Sequence, residues 1–338
     1  MRSSTYKPKE NDVIFTIADF YEAGCERLQL EVLAGNTWFD REIAEPMVSR
    51  PGLALTGFYE HFDWKRIQLI GKAETAYLKS LGPDVAEERF LELIKRKAFC
   101  FVFTNGQKPA ASFLRIAEKH GVVILASPMK TRFFSYHSAF ILATLSAPRT
   151  SLYATMVEVC GIGVLFEGDP GLGKSETALG LIKKGHALVA DDLTCIRKDV
   201  ANNLIYGSAS EATGGFMEIR GIGIMNVTKV FGINSVRGEK RIQLVITFKR
   251  LKDIEGEVDR VGATRRFKSI LGVNVPHVVI PVSEGRDLVN LVETAVQQQK
   301  LINTGYDPVE ALSDRLKIRA DKNEKISQSR KTNQMKGR

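Results

Sequence analysis

Gly168-Asp-Pro-Gly-Leu-Gly-Lys-Ser175 is the stretch that decides the fold of the second half of this 338-residue chain. It matches the pattern G-x-x-x-x-G-K-[ST] at every position. Glycines let backbone N–H groups turn toward phosphate oxygens, and a following helix directs its partial positive end at the same anion. The apolar run 157–166 predicts a buried strand before the loop, and a helix is expected over 175–184. This strand–loop–helix context predicts a phosphate loop that binds a nucleotide.

The loop also predicts the ligands of the site. Lys174 can reach the β and γ phosphate oxygens, and the Ser175 hydroxyl can ligate Mg²⁺. ATP is therefore the expected phosphoryl donor and Mg²⁺ the expected cofactor. The residues expected to contact the nucleotide are Gly168, Asp169, Pro170, Gly171, Leu172, Gly173, Lys174 and Ser175.

Two further groups of residues carry candidate chemistry. Asp191 and Asp192 follow a short strand, 186–190, that is expected beside the P-loop strand. Carboxylates there can hold magnesium or accept a proton from an attacking hydroxyl, although one of them could instead cap a turn. Glu218 and Arg220 lie near turn-permissive glycines, and such pairs are more often solvated surface groups. The pattern alone does not assign a role to either aspartate.

The first half predicts a different domain. Strands are expected at 66–71, 98–104 and 121–126, and helices at 83–97, 108–120 and 131–145. Strands that alternate with helices are typical of an α/β domain with a largely parallel sheet. Residues 13–35 also carry apolar side chains at helical spacing. No phosphate loop or catalytic cluster is evident in this half.

Composition narrows the class of protein. Hydrophobic residues at 44% and charged residues at 26% are ordinary for a globular chain, and no apolar run long enough to span a membrane occurs. The four cysteines form no CxxC pair, and the N-terminus lacks an apolar signal core, so a reducing cytoplasm is expected. The net charge is +9, but residues 315–338 carry nine Lys/Arg and only two Asp/Glu. Because this excess lies in a polar tail expected to be disordered, the charge is not taken as a sign of nucleic-acid binding.

At this point the sequence resembles a known family, the bacterial HPr kinase/phosphorylases, over nearly its whole length. The resemblance rests on GDPGLGKSETALGLIKKGHALVADD (168–192), MEIRGIGIMNV (217–227), DRVG (259–262) and VSEGRD (282–287). In the first half, RPGLALTGFYEHF (50–62) and RIQLIG (66–71) carry it. The EIRG-type segment is more specific to this family than the P-loop.

The resemblance implies an enzyme that uses ATP to phosphorylate a serine of the phosphocarrier protein HPr. It also implies removal of that phosphate by inorganic phosphate, giving pyrophosphate. The implied assembly is a homohexamer, and the implied catalytic domain resembles the nucleotide-binding core of phosphoenolpyruvate carboxykinases. Residues 1–132 would then form an assembly or regulatory domain, 133–316 the catalytic domain, and 317–338 the basic tail.

Site residues follow from the same resemblance. Ser175 and Glu218 would be magnesium ligands, and Lys174 and Arg260 active-site cations. Asp192 would be the general base of phosphorylation and the general acid of the reverse reaction. Residues 217–226 would serve both directions, and 282–287 chiefly dephosphorylation.

One departure from the family pattern concerns the reverse reaction. Where the family has R-T-x-x-H-G, this chain has Arg149-Thr-Ser-Leu-Tyr-Ala154, so Tyr153 replaces a histidine. A phenol cannot exchange a proton near neutral pH as an imidazole can, although it can donate a hydrogen bond to a phosphate oxygen. Glu284 and Asp287 add negative charge where the family more often has Pro and Asn. We therefore expect kinase activity with impaired phosphorolysis.

Two alternatives remain at the level of sequence. One is a P-loop enzyme that phosphorylates a small molecule or resembles a carboxykinase in its reaction. The other is a nucleotide-binding regulatory protein without transfer activity, which the loss of the histidine at Tyr153 motivates. Labelling of acceptors with ATP distinguishes all three.

Overall fold

In the computed structural model, which describes residues 13–253, 265–283 and 285–319, the chain forms two units that divide between Pro148 and Arg149. Both units combine helices with strands, so the predicted mixed α/β class with two domains is confirmed. Along the described residues, no helix is long and apolar enough to cross a membrane. Of the basic tail 317–338, only residues 317–319 are among those described.

The first unit is a sheet covered by helices. Its strands are β1 (Glu31–Ala34), β2 (Val48–Ser49), β3 (Ile67–Ile70), β4 (Cys100–Phe103) and β5 (Val123–Ala126). Its helices are α1 (Ile17–Leu28), α2 (Gly52–Leu55), α3 (Lys72–Ser80), α4 (Pro83–Lys95), α5 (Ala111–His120) and α6 (Thr131–Leu145). The strand order is β1-β5-β4-β3-β2, and only β1 pairs antiparallel. The prediction of a largely parallel sheet is therefore confirmed.

Two cores explain why β3 and β4 are buried at every residue. Alternate side chains of these strands point to opposite faces of the sheet. Leu69 and Val102 pack in a cluster with residues of α1 and α6, whereas Ile70 and Phe101 pack in another with residues of α2 to α5. A parallel sheet with helices on both faces requires strands that are apolar on both sides, as β4 is throughout and β3 is except at the buried Gln68.

Helix α6 belongs to the first unit, because it packs on α1. Phe134, Ile141 and Leu142 of α6 join Phe20 of α1 in one buried cluster. The boundary expected at 132/133 falls inside this helix, and the first unit extends to Pro148.

The predicted helical pattern of residues 13–35 is wrong in its second part. Helix α1 ends at Leu28, Gln29 takes a left-handed conformation (φ 51), and β1 follows.

The described residues of the second unit form one large sheet and a separate hairpin. Its strands are β6 (Arg149–Tyr153), β7 (Thr155–Val159), β8 (Ile162–Glu167), β9 (Ala187–Ala190), β10 (Leu193–Asp199), β11 (Leu204–Ser208), β12 (Phe216–Ile219), β13 (Gly223–Asn226), β14 (Glu239–Arg250), β15 (Arg266–Ile270) and β16 (Val273–Val282). Its helices are α7 (Lys174–Lys183), α8 (Val227–Phe231) and α9 (Leu288–Asn303), and residues 308–319 are also helical. The large sheet runs β6-β10-β11-β14-β8-β7-β9, with β16 also paired to β14 and β15 to β16.

Two predictions about this sheet are wrong. The run 157–166 is not one strand, because β7 and β8 form an antiparallel hairpin. Cys160 (φ 49) and Gly161 (φ 84) both have positive φ, as two-residue hairpin turns require. Strand β9 does not lie beside the P-loop strand β8 either, because β7 lies between them and pairs with both. The continuous apolar character of both strands concealed the turn.

Candidate active site

The phosphate loop leaves the sheet at the end of β8 and leads directly into α7. Gly168 has φ 140, and a Cβ there would lie 2.5 Å from the backbone oxygen of Phe248 on the neighbouring strand β14. Only glycine therefore allows the loop to begin so close to the sheet. Gly173 (φ 84) is the N-cap of α7 and provides no side-chain cap, so N–H groups of the first turn remain available to an anion. The structure thus bears out the predicted strand–loop–helix context.

Lys174 is the first residue of α7, and its side chain lies over the loop. Its Nζ donates to the backbone oxygens of Gly168 (2.7 Å) and Asp169 (3.3 Å). The ammonium group is therefore held at the loop that would receive the phosphates.

Asp191 connects three elements of the site. Its Oδ1 accepts hydrogen bonds from the hydroxyls of Thr155 on β7 (2.9 Å) and Ser175 on α7 (3.1 Å). Its Oδ2 accepts from the backbone N–H of Glu218 on β12 (3.1 Å). Burial, together with the charge of Asp192, raises the pKa of this carboxyl, against the effect of the three hydrogen bonds. Asp191 was one of the pair singled out in the sequence, but the contacts that give it a role are visible only in the structure.

Asp192 has a different environment from its neighbour. It follows β9 with a left-handed backbone (φ 58), and its side chain is exposed. Tyr153, the last residue of β6, pairs across the sheet with Leu193 and is 88% exposed. Asp192 thus directly precedes Leu193, the residue that pairs with Tyr153.

The hairpin β12–β13 brings the EIRG-type segment to the loop. Glu218 reaches the site through its backbone bond to Asp191, and its side chain is exposed. Arg220 lies against the loop, since a Cβ on Gly171 would be 3.7 Å from its Nη1 and 3.9 Å from its Nη2. The guanidinium therefore lies beside the backbone of the loop. This contact favours a functional reading of Arg220 over that of a solvated surface group.

The structure describes only some of the other candidate residues. Arg260 and Glu284, with the segment 259–262, lie outside the described residues. Arg286 donates to the backbone oxygen of Pro281 (3.1 Å). Asp287 is the N-cap of α9, and its carboxylate accepts from the N–H of Asn290 (3.0 Å). This carboxylate therefore stabilises the start of the helix.

The donor set fits a hard cation. The Ser175 hydroxyl and the Asp191 carboxylate are joined by a 3.1 Å hydrogen bond, and Asp191 also holds the backbone of Glu218, whose carboxylate is exposed. Within the described part of the chain, no group of three or more His, Cys, Asp or Glu residues forms a metal-binding cluster of its own. Magnesium is commonly held by one or two protein oxygens, with phosphates and water completing the shell. These residues match that arrangement.

Fold and site together define a P-loop nucleotide-binding domain in which the Asp191 carboxylate is hydrogen-bonded to the serine of the phosphate loop. Family profiles described as "HPr Serine kinase N terminus" and "HPr Serine kinase C-terminal domain" match residues 15–142 and 144–316. The chain belongs to the HPr kinase/phosphorylase family, as the sequence resemblance indicated.

The chain is also similar to individual proteins. The chain is similar to an HPr kinase/phosphorylase of Leptospira biflexa, with 38% identity over 86% of this chain and 90% of the relative. For one of Caldicellulosiruptor bescii the identity is 41%, over 82% of this chain and 88% of the relative. The solved structure of the Hpr(Ser) kinase/phosphatase from Coxiella burnetii is 34% identical and covers 48% of this chain and 98% of that one, with a TM-score of 0.44. A small-molecule kinase or an inactive regulatory protein is not favoured by the family profiles and the two sequence relatives.

Proposed function

We propose that this chain transfers the γ-phosphoryl group of ATP to a serine of HPr, and that it catalyses the phosphate-dependent reverse reaction more weakly. Membership of the family supports the activity. The observation that carries the site is the Asp191 carboxylate, which joins the P-loop serine to the Glu218 backbone and lies next to an exposed carboxylate, Asp192.

Each residue has a distinct part in the proposed reaction. Lys174 and Arg220 neutralise charge on the phosphates at the loop. Asp192 accepts the proton of the attacking serine hydroxyl, and its exposure suits an acceptor that arrives on another protein. In the reverse direction the same carboxyl returns that proton to the serine oxygen. Arg260, which lies outside the described residues, is proposed as a further active-site cation on the family pattern alone.

Ser175 and Glu218 are proposed to hold Mg²⁺, with Asp191 orienting the serine hydroxyl through its 3.1 Å hydrogen bond. When bound, the ion would neutralise charge on the nucleotide phosphates. Substitution of Glu218 by Gln should raise the Mg²⁺ concentration needed for tight ATP binding. Equilibrium binding of a fluorescent ATP analogue over a Mg²⁺ titration measures this without turnover. Equal Mg²⁺ dependence in the variant and the parent would exclude Glu218 as a ligand.

The central test uses purified chain, Mg·ATP and HPr, with mass spectrometry to locate the phosphate. Lys174→Ala should abolish transfer. Lys183→Ala is the matched control, because Lys183 lies exposed in the last turn of the same helix. Phosphate on an HPr serine confirms the proposal. Labelling of a metabolite instead of HPr, or ATP binding without transfer, would replace it with one of the two alternatives.

We also propose a cytoplasmic homohexamer in which the first unit has an assembly or regulatory role. The assembly rests on the family resemblance. The compartment is supported by the free thiols of Cys25, Cys100, Cys160 and Cys195. Light scattering coupled to size-exclusion chromatography measures the assembly, and a monomeric mass would exclude the hexamer.

A further inference from the structure

Thr155 is a buried polar residue close to the phosphate loop that no motif in the sequence singles out. It is the first residue of β7 and is 0% exposed. It pairs with Phe166 of β8, the strand that leads into the loop. Because a buried hydroxyl costs free energy unless it is hydrogen-bonded, the partner of this group indicates its use. The Thr155 hydroxyl donates to Oδ1 of Asp191 at 2.9 Å.

The same carboxylate oxygen also accepts from the serine of the loop. Ser175, in the first turn of α7, donates its hydroxyl hydrogen to Oδ1 of Asp191 at 3.1 Å, and Oδ2 accepts from the backbone N–H of Glu218. The last torsion of an aspartate side chain has only broad preferences, so hydrogen bonds rather than a rotamer well set the orientation of its carboxylate. Thr155 and the Glu218 backbone therefore hold Oδ1 toward Ser175.

The orientation of Asp191 matters for what Ser175 can bind. A serine hydroxyl has one hydrogen to donate and two lone pairs that can accept or ligate. While its hydrogen is donated to Oδ1, the lone pairs of Ser175 remain for another partner, which the loop pattern predicts to be Mg²⁺. If the carboxylate turned away, the Ser175 hydroxyl would lose the acceptor that orients it.

We propose that Thr155 is a positioning residue for the magnesium-binding serine of the phosphate loop. Its hydroxyl acts through Asp191: it holds Oδ1 in place, and Oδ1 accepts the hydrogen of Ser175 so that a serine lone pair is free for the ion. Because Thr155 is 0% exposed, it acts without touching the nucleotide or the acceptor. This role deepens the proposed function, since it rests on Ser175 as a magnesium ligand.

Three substitutions separate the hydroxyl from the rest of the side chain. Thr155→Val replaces the hydroxyl with a methyl group and keeps the β-branched shape that suits a strand. Thr155→Ser keeps the hydroxyl and loses the methyl group. Thr194→Val is the matched control, because Thr194 is also 0% exposed but donates to the backbone oxygen of Ala154 (2.7 Å) instead of Asp191.

Equilibrium binding of a fluorescent ATP analogue to the full chain, with and without Mg²⁺, is the measurement. In excess EDTA the affinity of Thr155→Val should equal that of the parent, because the loop and Lys174 are unchanged. The Mg²⁺ concentration that gives half of the full increase in affinity should rise about tenfold, as the loss of one hydrogen bond to a charged group predicts. Thr155→Ser should restore the parent value, and Thr194→Val should retain it.

These readouts distinguish positioning from a purely structural role. If Thr155 only stabilised the fold, Thr155→Val would lower the melting temperature and leave the Mg²⁺ dependence of the folded protein at the parent value. Thr155→Ala also lacks the hydroxyl and should show the same rise, so it takes the place of Thr155→Val if that variant does not fold.

Several outcomes would overturn the proposal. They are an unchanged Mg²⁺ dependence in the variants that lack the hydroxyl, an equal rise in Thr194→Val, and no recovery in Thr155→Ser. Nucleotide binding by the parent that does not depend on Mg²⁺ would overturn it as well. The assay contains no acceptor protein, so its result is independent of the substrate. A parent chain that places no phosphate on HPr would reject the proposed transfer reaction and leave this test unaffected.

Discussion

Replacement of Asp192 by Asn should remove catalysis while leaving the fold intact. Asp192 is exposed, and it forms no hydrogen bond or salt bridge with another described residue. Its backbone is left-handed (φ 58), a conformation that Asn tolerates well, and the amide has the same size as the carboxyl. The free energy of unfolding should therefore change by no more than about 0.5 kcal/mol.

The effect on transfer should be much larger. An amide cannot accept the proton of the attacking serine, and a positioned general base contributes about 10²–10⁴-fold to rate. That range corresponds to about 3–5 kcal/mol of activation free energy. We expect kcat to fall by this factor with ATP affinity unchanged, because the P-loop residues are untouched.

The assay measures transfer of the labelled γ-phosphate from ATP to HPr, beside thermal unfolding and ATP binding. Asp191→Ala is the comparison. Alanine removes both oxygens that accept from Thr155, Ser175 and the Glu218 backbone, so this variant should lose about 1–3 kcal/mol of stability. Normal phosphorylation by Asp192→Asn would refute the assignment of the base. If both variants lowered the free energy of unfolding equally, Asp191 would not be a structural carboxylate distinct from an exposed, catalytic Asp192.

Three further predictions follow from the second unit. Gly168→Ala should abolish ATP binding, because its Cβ would lie 2.5 Å from the Phe248 oxygen. Gly185→Ala is the control and should retain ATP binding, because Gly185 also has a positive φ but a Cβ there would have no neighbour within 4 Å. Burial lowers the pKa of His277 below its ordinary value of 6.5, so stability should be constant above that pH and fall as the pH decreases below it. His277→Gln should flatten this acid dependence in chemical denaturation. Tyr153→His should raise the rate of pyrophosphate formation from seryl-phosphorylated HPr and phosphate, because an imidazole exchanges protons near neutral pH.

Each of these has a contrary outcome. ATP binding by Gly168→Ala equal to that of Gly185→Ala would show that the close approach to the sheet is not required. An unchanged acid slope in His277→Gln would assign the pH dependence to other groups. If the parent chain already dephosphorylates HPr as fast as it phosphorylates it, the inhibitory effect of Tyr153 is excluded.

Local sequence determined the features of this protein that depend on interactions between residues close together in the chain. The loop 168–175 requires glycine at positions of positive φ, and the sequence pattern specified its strand–loop–helix context. Strands β3 to β5 and helices α4 to α6 of the first unit were predicted because buried parallel strands are mainly apolar and the helices between them are amphipathic, whereas β1, β2, α2 and α3 were not predicted. The family resemblance also followed from contiguous segments.

Tertiary structure decided the contacts between distant segments. The hairpin turn at Cys160-Gly161 placed β7 between β8 and β9, which no apolar pattern could specify. That arrangement brings Thr155, Ser175 and Glu218 to Asp191 while leaving Asp192 exposed, so two adjacent identical residues differ only through their long-range partners. Sequence alone determined which chemistry the chain carries, because motifs are local. Which carboxylate is buried among its partners depended on pairing between strands far apart in the chain.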